Sequence, residues 1–304
     1  MQSCAESSGE RLQLRLHGDA SLPVLIYLPG LHGDWTLVAS FRTALAGRVR
    51  FVEFTYPRTL TWSLDDYAEA IEAALLEEGI AHGWLLGESF GSQIVWPLIA
   101  GGRGSTRAPL DQGGGGTSPS RAAFRADGVI LAGGFVKHPL KWGVCAAGKF
   151  CHGVSLTWLT RLLFFYAKFA RFRHRLAPET LASIQEFVAR RTELDKQAAV
   201  HRLRLIAAND PRELARQVRL PVCHLSGLFD PVVAWPFVRP WLKRNCPGFC
   251  DSKIIWKADH NVLGTAPKAA AEQVMRWLQG VWPAQQSSGE SEVSSPRAFQ
   301  NSPR

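Results

Sequence analysis

The chain has 304 residues and a net charge of +9, and 46% of its residues are hydrophobic while 20% are charged. These values are ordinary for a soluble globular protein of one large domain or two small ones. No apolar run approaches the roughly 18 to 20 uninterrupted residues that a membrane span needs. Residues 1–10 are polar and include acids, which is unlike a secretory signal.

The first strands are predicted from the hydrophobic pattern. Residues 12–16 alternate with polar side chains and predict an edge strand. Residues 24–28 are continuously apolar, as in a parallel strand buried on both faces. A glycine-bearing loop, 29–35, follows at the end where open α/β sheets bind ligands. Another strand is predicted at 49–54.

A helix is predicted after this strand. Ser63-Leu-Asp-Asp66 resembles a capping box, apolar residues then recur at helical spacing up to Leu75, and Gly79 ends the pattern.

The most informative stretch is Gly87-Glu88-Ser89-Phe90-Gly91, which follows the apolar run 84–86 and precedes a helical pattern. A strand, G-x-S-x-G and a helix form the context in which a serine is held in a strained turn with its hydroxyl exposed. The two glycines, Gly87 and Gly91, avoid collisions with the neighbouring strand and helix. Glu88 is able to hydrogen-bond nearby loop amides, and we assign it no catalytic role.

The second half of the chain continues the alternation after an interruption. Residues 101–125 contain four successive glycines and predict a flexible surface insertion. Strands are expected at 129–132, 221–225 and 253–256, and a final helix at 268–278.

The segment 137–219 differs from the rest because it shows helix starts and no strand pattern. The predicted starts are Pro178, Thr192 and Asp210. This segment lies between two predicted strands, so we expect a helical cap over the carboxyl edge of the sheet.

The cap also carries the excess positive charge. It contains sixteen Lys and Arg residues against six Asp and Glu residues, and residues 156–176 mix arginines with aromatic side chains. Such a segment can pack its aromatics on the core and solvate its arginines, or cover an acyl or anionic substrate. It can also contact an anionic membrane. No nucleic-acid recognition motif accompanies the charge, so nucleic acid is not expected as a partner.

The cysteines suggest reduced thiols and a cytoplasmic location. They show neither a C-x-x-C pair nor zinc-ligand spacing: Cys4, Cys145, Cys151, Cys223, Cys246 and Cys250. Cys246 and Cys250 are close enough in sequence to bridge or bind a metal, but no second ligand pair accompanies them. We expect no metal and no cofactor.

Three chemistry-bearing residues each follow a predicted strand: Ser89, Asp230 and His260. A serine hydroxyl becomes a nucleophile when an imidazole takes its proton, and the imidazole needs a carboxylate to fix its tautomer. Parallel strands bring such residues to the same edge of a sheet. The sequence therefore predicts a catalytic triad.

The chain resembles the α/β-hydrolase superfamily over most of residues 12–280. The resemblance rests on four motifs in the order of that family: Pro29-Gly30-Leu31, Gly87-Glu88-Ser89-Phe90-Gly91, Gly227-Leu228-Phe229-Asp230-Pro231-Val232-Val233 and Asp259-His260. The family usually has His-Gly where this chain has Pro29-Gly30, and often has a glycine where this chain has Asp259.

The resemblance implies Ser89 as nucleophile, His260 as general base and acid, and Asp230 as the orienting carboxylate. It also implies an oxyanion hole formed by the backbone amides of Leu31 and Phe90. The altered motif leaves the first of these amides open between Leu31 and its neighbours His32 and Gly33. We interpret His32 as a loop residue rather than a catalytic one.

We therefore expect an α/β fold with a mostly parallel sheet, helices on both faces and an inserted cap. The predicted parts are a flexible N-terminus (1–10), the core (11–136 and 220–282, with the insertion 101–125), the cap (137–219) and a disordered tail (283–304).

The expected function is a serine hydrolase that cleaves a carboxylic ester or thioester, with a small-molecule ester or acyl compound as substrate. An acyltransferase using the same triad, or a non-catalytic binding protein on the same fold, remain the alternatives. The oligomeric state is left open.

Overall fold

The computed structural model describes residues 11–103, 123–155, 157, 158, 161 and 192–281, and a seven-stranded sheet lies at its centre. The strands are β1 (Gln13–His17), β2 (Val24–Leu28), β3 (Arg50–Thr55), β4 (His82–Glu88), β5 (Arg125–Ala132), β6 (Val222–Gly227) and β7 (Phe249–Ile255). Their spatial order is β1-β3-β2-β4-β5-β6-β7, with β1 antiparallel to β3 and the other neighbours parallel. The predicted mostly parallel sheet is confirmed.

Helices cover both faces of this sheet. They are α1 (Ala39–Leu45), α2 (Leu64–Glu77), α3 (Gly91–Arg103), α4 (Lys141–Gly153), α5 (Glu193–Ala208), α6 (Arg212–Gln217), α7 (Trp235–Asn245), α8 (Val262–Thr265) and α9 (Pro267–Leu278). Helices α1, α8 and α9 pack on one face, whereas α2, α3, α6 and α7 pack on the other.

The apolar run in β2 explains why the sheet has two cores. Leu25 and Tyr27 point into the cluster on the α1 and α9 side, and Ile26 and Leu28 point into the cluster on the α2 and α3 side. Successive side chains of a strand point to opposite faces, so a strand covered on both sides must be apolar at every position.

Two of the predicted helix-capping residues cap their helices, and a third does not. Both residues of the capping boxes at Ser63 and Thr192 make their reciprocal hydrogen bonds, and Gly79 adopts φ +70° just beyond α2. By contrast, Asp210 does not cap α6, whose N-cap is Pro211. The Asp210 carboxylate instead accepts hydrogen bonds from Lys137 and Arg212.

Two strands, β5 and β7, begin four residues earlier than the hydrophobic pattern predicted. Strand β7 starts at Phe249 rather than at 253, and it is an edge strand whose residues are only partly buried. Strand β5 starts at Arg125 rather than at 129, and its first residues are also partly exposed. Exposed strand ends tolerate polar side chains, so the apolar pattern misses them.

The ends of the predicted insertion 101–125 belong to core elements, since α3 continues to Arg103 and β5 begins at Arg125. The middle of that insertion, residues 104–122, lies outside the described residues, as do 1–10 and 282–304.

Between β5 and β6 the described regular elements are the helices α4, α5 and α6, and no described residue of this stretch belongs to a strand. Helix α4 packs on α5, and a salt bridge between Asp195 of α5 and Arg58 joins these helices to the loop after β3 (2.7 Å). The predicted helix start at Pro178 lies outside the described residues.

Among the described residues, no helix combines the length and the apolar character that crossing a bilayer requires.

Candidate active site

Ser89 lies in the turn between β4 and α3, at the carboxyl edge of the sheet. Its backbone φ is +48°, the left-handed region, and no other described non-glycine residue has a positive φ. The turn is held by the Ser89 N–H, which donates to the Ala132 carbonyl (3.1 Å), and by the Ser92 hydroxyl, which donates to the Ser89 carbonyl (2.6 Å). Because the turn is strained and the Ser89 N–H and carbonyl are both hydrogen-bonded, the Ser89 hydroxyl is held at the carboxyl edge of the sheet.

The glycine at the end of this turn is required because of a close approach between α3 and β2. A Cβ atom on Gly91 would lie 2.0 Å from the Leu28 carbonyl oxygen, whereas a Cβ on Gly101 of the same helix would meet nothing closer than 3.7 Å. We expect Gly91→Ala to lower the free energy of unfolding by about 3 kcal/mol, because backbone must move. Gly101→Ala, as the matched control, should leave it unchanged or raise it slightly. Denaturant unfolding of both variants checks this, and equal midpoints for Gly91→Ala and wild type would contradict it.

The structure brings the three predicted residues into one hydrogen-bonded chain. His260 Nε2 lies 2.9 Å from Ser89 Oγ, and His260 Nδ1 lies 2.8 Å from Asp230 Oδ2. With Nδ1–H donating to the carboxylate, neutral His260 presents an acceptor nitrogen to the serine hydroxyl. This arrangement can remove a proton from Ser89.

The Asp230 carboxylate is fixed on both of its oxygens. Oδ1 accepts hydrogen bonds from the Val232 and Val233 N–H groups (both 2.8 Å), which leaves Oδ2 for His260. The Asp230 side chain is completely buried, and the His260 side chain is 22% exposed. The carboxylate therefore holds the imidazole in one orientation.

The pKa of His260 is raised above its usual 6.5. Burial lowers this pKa, but the hydrogen bond and charge of Asp230 outweigh the burial, with smaller raising contributions from Glu88 and Asp259. His138 stands near the pair, and burial lowers its pKa, so it remains neutral around pH 7. His260 is thus the histidine here whose protonated form is favoured.

Loop 29–35 after β2 lies directly over the serine. A Cβ on Gly30 would be 3.4 Å from the Ser89 Cβ, so Gly30 packs against the serine side chain. The Gly33 N–H donates to the Gly30 carbonyl (3.0 Å) and is used within the loop. The sequence offered three amides as the first oxyanion donor. Because the Gly33 N–H is already bonded, the candidates are the N–H groups of Leu31 and His32.

Arg202 of α5 is a residue near the site that sequence reasoning did not single out. Its guanidinium is buried (3% exposed) and donates to the Leu31 carbonyl (3.0 Å) and to the Pro57 carbonyl (3.2 Å). Gly33, at φ +77°, makes room for it, because a Cβ there would lie 2.3 Å from Nη1. The sequence held one indication that Arg202 is buried: it lies on the same helix face as the apolar residues Ala198 and Ile206, which are buried.

Glu88 makes a different contact from the one that the sequence suggested. Its buried carboxylate accepts a hydrogen bond from the hydroxyl of Tyr27, a neighbouring-strand side chain, rather than from loop amides. Glu88 also borders the cavity beside Ser89. Burial, together with the Glu88 charge, raises the pKa of Tyr27, so the phenol stays protonated and keeps donating.

A cavity of about 420 Å³ opens beside Ser89 and His260. Its walls come from the loop after β2, from the segment after Asp230 and from the helices α4 and α5. The side chains that α4 and α5 contribute are aliphatic, among them Val144, Leu203 and Ile206. The cavity therefore suits an apolar group placed next to a serine hydroxyl.

In the described part of the chain, no group of three or more His, Cys, Asp or Glu residues could hold a metal ion. Cys246 and Cys250 form no disulfide there.

Solved structures resemble this chain in fold. No protein-family model and no curated protein sequence matches it. A thermophilic esterase from Thermogutta terrifontis superimposes with a TM-score of 0.66 at 17% identity, covering 90% of this chain and 94% of the esterase. An enol-lactonase from Burkholderia xenovorans gives a TM-score of 0.67 at 18% identity, with coverages of 88% and 96%.

An α/β-hydrolase enzyme from a Medee basin deep-sea metagenome library gives a TM-score of 0.62 at 13% identity, covering 93% of this chain and 97% of that enzyme. Similarity at such low identity defines the fold. The chain has the α/β-hydrolase fold, as its motifs predicted.

Proposed function

We propose that the protein is a serine hydrolase that cleaves a carboxylic ester or thioester through an acyl-enzyme intermediate. The observation that carries the proposal is the chain from Ser89 Oγ to His260 Nε2 (2.9 Å) and from His260 Nδ1 to Asp230 Oδ2 (2.8 Å). This chain of hydrogen bonds lies beside a cavity, and the backbone of its serine is in the left-handed conformation. The solved structures that share the fold include an esterase and an enol-lactonase, and both names denote cleavage of an ester bond.

In the proposed reaction, Ser89 Oγ attacks the carbonyl carbon of the substrate while His260 Nε2 takes the hydroxyl proton. The carbonyl π-bond opens, and its oxygen becomes negative. The backbone N–H of Phe90 and that of Leu31 are the proposed donors to this oxyanion. His260 then gives its proton to the leaving alcohol or thiol, and the carbon–oxygen or carbon–sulfur bond breaks to leave an acyl-Ser89 ester.

Hydrolysis of the acyl-enzyme repeats these steps with water. His260 removes a proton from water as the water attacks the acyl carbon, and the proton is returned to Ser89 Oγ when the carboxylic acid leaves. Asp230 keeps its negative charge throughout and stabilises the imidazolium in both halves. The aliphatic walls of the cavity favour an acyl chain of moderate length, because burial of each CH₂ contributes about 0.8 kcal/mol.

Labelling with a fluorophosphonate tests the proposal, since this reagent forms a covalent bond with an activated serine. We expect the wild type to be labelled, and Ser89→Ala and His260→Ala to remain unlabelled. Circular dichroism would first establish that all three proteins are folded. An unlabelled, folded wild type would overturn the proposal. A series of p-nitrophenyl esters of increasing acyl length then measures the preferred substrate.

Gly143 of α4 provides a way to alter that preference. It borders the cavity, and a Cβ there would meet only the Leu140 Cβ, at 3.7 Å, so a larger side chain would extend into free space. We expect Gly143→Leu to lower kcat/KM for longer acyl chains about tenfold or more while sparing acetate esters, because the cavity becomes shorter. Gly148→Leu, the same change on the same helix but outside this cavity, serves as the control. An unchanged chain-length profile for Gly143→Leu would show that acyl chains lie elsewhere.

A further inference from the structure

A second concave space lies between α4 and α5, outside the site described above. This space, the α4–α5 groove, has a volume of about 450 Å³. Helix α4 lines it with Cys145, Gly148, Lys149 and His152, whose i, i+3, i+4 and i+7 spacing places them on one side of the helix. The proposed chemistry uses none of these side chains, so the groove is a separate candidate for a binding site.

The floor of the α4–α5 groove is apolar. It is formed by Val144, Leu203 and Ala207. Because Val144 and Leu203 also line the cavity beside Ser89, the two spaces share a wall. Among the described residues, a Cβ on Gly148 would approach only the Leu203 Cβ, at 3.9 Å. The floor therefore has room for the apolar part of a small ligand.

The rim of the groove is cationic. Lys149 and Arg204 are exposed there, beside the exposed imidazole of His152. No Asp or Glu is among the described residues that line the groove, and neither Lys149 nor Arg204 forms an ion pair within the described part of the chain. Cations that converge on a concave surface attract an anion.

The acids of the two helices do not neutralise this rim. Helix α4 contains no Asp or Glu. The two acids of α5 lie in its first turn and pair with Lys196 and with Arg58, whereas Arg204 lies in the second half of that helix. Asp210, beyond the end of α5, pairs with Lys137. The charges on the rim are therefore available to a ligand.

We infer that the α4–α5 groove binds a small amphiphilic anion, an alkyl chain that carries a carboxylate. The alkyl chain packs on Val144 and Leu203, and the carboxylate accepts hydrogen bonds from the Arg204 guanidinium and the Lys149 ammonium. The planar fork of an arginine matches the two oxygens of a carboxylate. Acids of this class are also what the proposed hydrolysis releases, and this link alone rests on the proposed function.

Alkylation of Cys145 reports whether the groove is occupied, because this exposed thiol is part of its lining. The full chain is treated with iodoacetamide, an uncharged reagent, with and without sodium octanoate, and mass spectrometry of the Cys145 peptide gives the rate. We expect octanoate to slow the alkylation in a saturable manner, and added salt to weaken this protection. Octylammonium, with the same chain and the opposite charge, should give little protection.

Variants of the rim test the charged contacts. Lys149→Gln/Arg204→Gln should raise the octanoate concentration for half-protection about tenfold or more, because a hydrogen bond between charged groups is lost at each position. Lys243→Gln/Arg244→Gln removes two exposed cations from α7 and is the matched control, which should be protected like the wild type. Equal weakening in both double variants would overturn the inference.

Two glycines of α4 separate the groove from the cavity beside Ser89. Gly148→Leu fills the floor of the groove and should abolish protection, whereas Gly143→Leu, which narrows the cavity, should leave it unchanged. The opposite result would place octanoate in the cavity and overturn the inference. Ser89→Ala should be protected normally, so failure of the hydrolase proposal and failure of this inference remain distinguishable.

The choice of ligand is tested in the same way. An unchanged rate at Cys145 in the folded wild type with octanoate would overturn the inference. Equal protection by octylammonium would show that the rim cations do not select the ligand, and equal protection by inorganic phosphate would show that the apolar floor does not. Either result would also overturn it.

Discussion

Replacing Asp230 with asparagine is expected to lower kcat about 10⁴-fold while leaving the fold intact. Asp230 accepts a hydrogen bond from His260 Nδ1, and this bond leaves His260 Nε2 free of its proton and ready to accept one from Ser89. An asparagine NH₂ facing Nδ1 would favour the other tautomer, in which Nε2 carries the proton. Steady-state hydrolysis of a p-nitrophenyl ester measures the loss.

The same substitution should move the pH profile in a defined direction. His260 must be neutral to act as a base, so activity falls as the pH falls through its pKa, which lies above 6.5 in the wild type. In Asp230→Asn the main raising contribution disappears while burial, which lowers the pKa, remains. The acid limb of kcat/KM against pH should therefore shift to lower pH.

A matched control comes from a second Asp–His pair on the surface. His82 Nδ1 lies 2.8 Å from Asp127 Oδ2, near the start of β4 and β5 and far from the carboxyl edge that carries Ser89. Asp127→Asn should leave kcat and the pH profile unchanged. An acid limb that stays in place in Asp230→Asn would mean that the ionisation seen in the profile does not belong to His260.

Substitution of Arg202 by methionine is expected to lower kcat about 10²–10³-fold with little change in KM. The Leu31 carbonyl that Arg202 holds belongs to the same planar peptide as the His32 N–H, and the loop lies over Ser89. Without the guanidinium, this peptide can rotate, and the adjacent N–H of Leu31, which is the proposed oxyanion donor, loses its position. Losing one such donor typically costs this much in kcat, and KM is spared because the donor acts in the transition state.

Loss of a buried hydrogen-bonding group also destabilises a protein, so activity must be expressed per active site. Titration with the fluorophosphonate gives the concentration of reactive Ser89 sites. Arg202→Lys should fall between wild type and Arg202→Met, because one ammonium group cannot match the two-pronged contact with Leu31 and Pro57. Arg204→Met, at an exposed position on the same helix, is the control.

The division of the effect between kcat and KM decides the role of Arg202. A higher KM with unchanged kcat would place it in substrate binding rather than in positioning the loop. Unchanged kcat and KM would show that the loop keeps its conformation without the Arg202 guanidinium.

The sequence by itself determined the strand order along the chain, the tight turn around Ser89 and the positions of Asp230 and His260 after their strands. These follow from local rules: apolar runs form buried strands, two glycines permit a tight turn, and residues directly after parallel strands collect at one edge. The motifs also predicted the α/β-hydrolase fold, which the structural comparisons confirm.

Only the tertiary structure decided how α4 and α5 meet the site. Arg202 is one of sixteen basic residues between 137 and 219, and its partners are backbone carbonyls, which leave no mark in a sequence. The same holds for Glu88, whose partner Tyr27 is 61 residues away. Such contacts depend on which surfaces the packed elements present to one another, and local pattern does not carry that information.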